Sequence, residues 1–70
     1  MDVEEYFTQT KHINEQLSMN ADRTKNMSMV ASAHTDNPEF VELMKKHNKL
    51  IQENIELHRQ LLESHPELNI

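Results

Sequence analysis

Leu43, Leu50 and Leu57 recur every seven residues, and Phe40, His47, Asn54 and Leu61 alternate with them at steps of three and four. With the leucines at heptad position d, the second set occupies a, the spacing of a coiled-coil seam. Met44 and Ile51 fall at e and Val41, Ile55 and Leu62 at b, which widens the apolar arc to roughly 160° at about 100° per residue. An arc that wide calls for at least two neighbouring helices. The other face is polar: Glu42, Lys49 and Glu56 at c, Lys45, Gln52 and Arg59 at f, Lys46, Glu53 and Gln60 at g. It is a face for water, with Glu42 and Lys46 spaced as an ion pair and Lys45 and Lys49 as a repulsive one.

The helix carrying this pattern has a start and a stop. Asn37 is an N-cap whose side-chain oxygen accepts from an orphan amide, and Pro38 suits the first turn, where no amide partner exists. Glu39 and Glu42 place negative charge at the positive end of the helix dipole. Pro66 disfavours helical geometry at His65, so the spacing predicts a helix over 38–64 and a short tail over 65–70 in which Leu68 and Ile70 dock or fray.

A second series runs upstream. Asp2 and Glu5 form a capping-box pair, and Val3, Tyr6, Thr10, Ile13, Leu17, Asn20, Thr24, Met27 and Ala31 follow at three-four spacing. This face turns polar in its middle, and Asn20, Thr24, Asn26 and Ser28 lower the helix propensity there. No Pro or Gly interrupts it, so one long helix over about 2–33 is expected, joined to the second by a connection at 34–37. Helices of about 31 and 26 residues are ~46 and ~39 Å long and can lie alongside each other as an antiparallel hairpin.

Composition changes the picture in one respect. Seventy residues with 36% apolar content and a mean hydropathy of −0.83 bury little surface as a lone domain, and self-association is the simplest remedy. There is no Cys to form a disulfide or a thiolate metal site, no Gly to build a phosphate-cradling loop, and no apolar run long enough to span a membrane. Without a secretory signal, the expected setting is cytoplasmic. The net charge of −5 argues against a nucleic-acid backbone or an anionic membrane as main partner. The zipper-like periodicity also lacks an upstream basic region, since residues 20–36 carry only Arg23 and Lys25 as positive charges.

Five His residues raise the question of metal binding, but no H-x-x-x-H pair or neighbouring Cys supports it, and the expectation is no metal and no cofactor. Asn54, an a-position amide between Leu50 and Leu57, suits a register-fixing role. The cluster Arg23, Thr24, Lys25, with Tyr6, offers donors for a phosphorylated metabolite or nucleotide between protomers. Met27 and Met29, in a stretch of small and soft residues, offer close packing or an adaptable contact for a partner. No Ser, Thr or Cys stands in a nucleophile's context, so an enzyme is not expected.

These readings converge on an all-α protein: a two-helix hairpin with a coiled-coil-like second helix, assembling into an oligomeric helical bundle. Phe40, Leu43, His47, Leu50, Asn54, Leu57 and Leu61 are the expected oligomer seam. The expected function is binding of another macromolecule as a regulator, inhibitor or assembly adaptor; a ligand binder with pockets between protomers and a scaffolding component are the alternatives.

Overall fold

A computed structural model describes residues 1–69; the expected docking or fraying of Ile70 lies outside the described residues. Two antiparallel helices, α1 (Val3–Met29) and α2 (Pro38–Ser64), form a hairpin, followed by a short 3-10 turn at Pro66–Leu68. The molecule is a rod of 46 × 18 × 17 Å, one helix pair wide.

Local chemistry sets the ends of both helices. The Asp2 carboxylate accepts from the Glu5 amide at 2.7 Å and starts α1. Asn37 Oδ1 accepts from the Glu39 amide at 3.1 Å and starts α2 at Pro38. At the other end of α2 the chain turns out at His65, whose amide still donates to the Leu61 carbonyl at 2.9 Å.

The end of α1 departs from the sequence expectation. The helix stops at Met29, four residues short of 33, and the connection is 30–37 rather than 34–37. The stop is a Schellman motif: the Ser32 amide reaches back to the Met27 carbonyl at 2.8 Å and the Ala31 amide to the Ser28 carbonyl at 3.2 Å. Such a motif needs a left-handed residue, usually Gly. This chain has no Gly, and Ala31 takes the position with φ 58°. Asn37 then ties the two helix ends together, since its Nδ2 donates to the Ser32 carbonyl at 2.8 Å while its Oδ1 caps α2.

The face of α1 toward α2 is the three-four series. Thr10, Ile13 and Asn20 are buried, and Tyr6, Leu17, Thr24 and Met27 are half-buried, whereas Val3 is exposed. From α2, Leu43, Leu50 and Leu61 are buried, and Phe40, His47, Asn54 and Leu57 are half-buried. Thr10 fits this core because its hydroxyl donates to the Tyr6 carbonyl at 2.8 Å, leaving the methyl group to pack. Asn20 is only 4% exposed, and among the described residues its Nδ2 finds no hydrogen-bond acceptor.

Candidate functional site

The two helices leave an open groove along one flank of the hairpin, with a volume of about 750 Å³. Ile13 of α1 and Leu57 of α2 form its floor; Thr8, Gln9 and His12 wall one side and Lys49, Gln52, Glu53 and Glu56 the other. The sequence pattern assigns these α2 positions to the water-facing c, f and g set. Long side chains resolve the difference: their aliphatic stems cover apolar surface while their polar heads stay in solvent.

The rim is electrostatically ordered. Arg59 grips Glu56 with two nitrogens, Nε to Oε2 at 3.0 Å and Nη2 to Oε1 at 2.5 Å, and also bonds Glu63 through Nη1. Hydrogen bonds from Arg59, then from Gln60, hold the Glu56 carboxyl at about 2, well below its ordinary 4.5, and the Glu56 carboxylate, then that of Glu63, raise the Arg59 guanidinium further. Glu56 therefore presents a fixed negative charge to the groove. Across it, the ring of His12 pairs with Gln16, Nε2 to Nε2 at 2.7 Å. The arrangement offers an apolar floor between amide and charged rims, suited to holding an amphipathic segment.

The flanking polar pairs differ from those the spacing suggests. Lys45, not Lys46, pairs with Glu42, at 3.6 Å. Arg23 reaches Glu39 across the hairpin at 3.5 Å, and Thr24 donates its hydroxyl to the Ala21 carbonyl at 3.0 Å.

Within the single chain all seven residues of the expected seam, Phe40, Leu43, His47, Leu50, Asn54, Leu57 and Leu61, are already buried or half-buried. Asn54 donates to Asn14 Oδ1 at 2.9 Å, a partner the sequence pattern does not single out. Arg23, Thr24, Lys25, Met27 and Met29 cluster near the connection, but Tyr6 stands far along α1, about 25 Å away at 1.5 Å per residue. There its hydroxyl meets His58 Nδ1 at 3.3 Å. Within one chain, then, Tyr6 and the Arg23 cluster do not share a pocket. Met27 is half-buried and Met29 is 75% exposed.

His65 closes the open end of the rod: its Nε2 lies 3.1 Å from the Met1 carbonyl and its Nδ1 3.2 Å from Glu67, while the Met1 amine donates to Ser64 Oγ at 2.9 Å. Among the described residues no three His, Asp or Glu side chains gather as a metal site, and no helix is long and apolar enough to cross a membrane. No protein-family profile, curated protein or solved structure matches this chain.

Proposed function

We propose that this hairpin is an interaction protein: it self-associates and binds another macromolecule as a regulator, inhibitor or assembly adaptor. The observation that carries the reading is the open groove with Ile13 and Leu57 at its floor. A groove of this kind takes the apolar face of a helix, read at i, i+3, i+4 and i+7, while Lys49, Glu53 and Glu56 select the partner's flanking charges. Its mode of action is occlusion, covering a helix the partner needs elsewhere.

The test is a photo-crosslinking residue at Gln52, on the lip of the groove, compared with one at Lys45 on the outer face of the same helix. In cell extract the Gln52 probe yields a defined protein adduct that Thr8→Arg with Gln9→Arg removes, and the Lys45 probe does not. Equal labelling from both positions, or an adduct indifferent to the two arginines, rejects the groove as the binding surface.

A further inference from the structure

On the flank opposite the groove, α2 presents a stripe without charge. Positions e and b read Val41, Met44, Asn48, Ile51, Ile55, His58 and Leu62, and none is Asp, Glu, Lys or Arg. Each of the c, f and g rows on the groove side and outer face does carry charge. In this stripe Met44, Ile51 and Ile55 are 41, 37 and 56% exposed, and Phe7, set toward the same flank on α1, is 62% exposed. The Asn14–Asn54 and Tyr6–His58 pairs fix that side of α1 against the a and e positions of α2.

The surface is also too large for the mass. A folded monomer of 8.3 kDa exposes about 4,600 Å² by the general scaling of area with mass. This chain exposes 5303 Å². The surplus, about 700 Å², is close to the roughly 800 Å² that each partner buries in a stable standard-size interface. Its radius of gyration, 15.4 Å, exceeds the roughly 11 Å of a compact 70-residue chain and is near the roughly 14 Å of one twice as long.

We infer that a second copy of this chain covers the stripe, packing α2 antiparallel against α2 about a two-fold axis at Ile51 to make a four-helix bundle. This deepens the self-association proposed above and rests on it. The stripe is self-complementary about that point. Ile51 meets its own copy, Met44 faces the second copy's His58, Asn48 its Ile55 and Val41 its Leu62, as an isologous interface demands. The same axis passes α1 near Ile13 and Asn14, and there sets Lys11 toward the second copy's Glu15, opposite charges at the rim. The groove of Ile13 and Leu57 lies on the far flank and stays open for its partner.

The chain has no Cys, so single cysteines report the geometry directly. The experiment measures native mass by light scattering and disulfide formation under mild oxidation in Ile51→Cys, Met44→Cys and His58→Cys. The expected result is twice the chain mass of 8.3 kDa, rapid self-crosslinking of Ile51→Cys, and crosslinking of Met44→Cys only when mixed with His58→Cys. Ile55→Glu, at an exposed position that the hairpin itself does not need, weakens the dimer by about a hundredfold, as burying two unpaired charges in an interface without countercharge requires. A dimer in which Met44→Cys crosslinks to itself, or Ile51→Cys stays reduced, overturns the antiparallel stripe while leaving self-association standing. A monomeric mass for the unmodified chain at every concentration overturns both.

Discussion

Asn54 on α2 donates from Nδ2 to Oδ1 of Asn14 on α1 across 2.9 Å, the side-chain amide pair that spans the middle of the hairpin. A neutral hydrogen bond of this kind is worth about 0.5–1.5 kcal/mol net, and removing one partner costs more than removing both. At a fixed protein concentration, Asn54→Ala is expected to lower the free energy of unfolding by about 1 kcal/mol. The pair Asn14→Leu with Asn54→Leu should be no less stable than the parent. A double-mutant cycle in urea measures the coupling, and additive single effects would show that the two amides do not interact.

Asn20 poses the opposite case, a buried amide whose Nδ2 has no acceptor among the described residues. A buried donor left without a partner costs roughly 1–3 kcal/mol. Asn20→Leu removes that cost and fills the site with apolar volume, so the urea midpoint should rise by an amount equivalent to about 1–3 kcal/mol. A fall would show that the amide is bonded in solution and that the polar atom contributes to folding.

The all-helical hairpin was legible because its two faces obey one rule. Tyr6, Thr10, Ile13, Leu17, Asn20, Thr24 and Met27 keep three-four spacing, and so do the a and d residues of α2, so each helix announces a stripe that must be covered. Polar members such as Thr10 and Asn20 did not break the face, since spacing rather than hydrophobicity carried the register. The groove was not legible. Which flank of α2 stays open depends on where α1 settles between the a/e and d/g edges, and that is fixed by cross-helix contacts such as Asn14 to Asn54 that no single-helix pattern contains. Lys49, Gln52 and Glu56 therefore read only as a solvated polar face, although their stems wall the groove. The early stop of α1 escaped for a local reason: the usual Gly signal is absent, and Ala31 occupies the left-handed position instead.

That position yields its own prediction. A left-handed non-Gly residue costs roughly 1–2 kcal/mol through the clash of its Cβ with the following carbonyl oxygen, partly offset by the lower chain entropy of Ala in the unfolded state. Ala31→Gly should stabilise the hairpin by about 1 kcal/mol, read as a higher thermal midpoint with unchanged helix content by circular dichroism. A loss of stability would mean that the α1 terminus adopts another cap in solution.

The Glu56–Arg59 pair sets a pH dependence whose sign follows from the direction of the shift. Hydrogen bonds from Arg59 lower the Glu56 carboxyl from 4.5 in the unfolded chain to about 2 in the folded one. A group with a depressed folded value adds stability above its unfolded value and loses it as the pH falls through the folded one. Glu56→Gln should therefore melt below the parent at pH 7 by a difference that holds down to about pH 5, shrinks from 4.5 toward 2, and vanishes below that. Because the pair is solvent-exposed, the difference is small and should diminish further in 1 M salt, where the screening length is about 3 Å. Melting curves of the two proteins across that pH range decide the matter. A gap that persists unchanged at the acid end would place the effect of Glu56 in packing along the groove rather than in its charge.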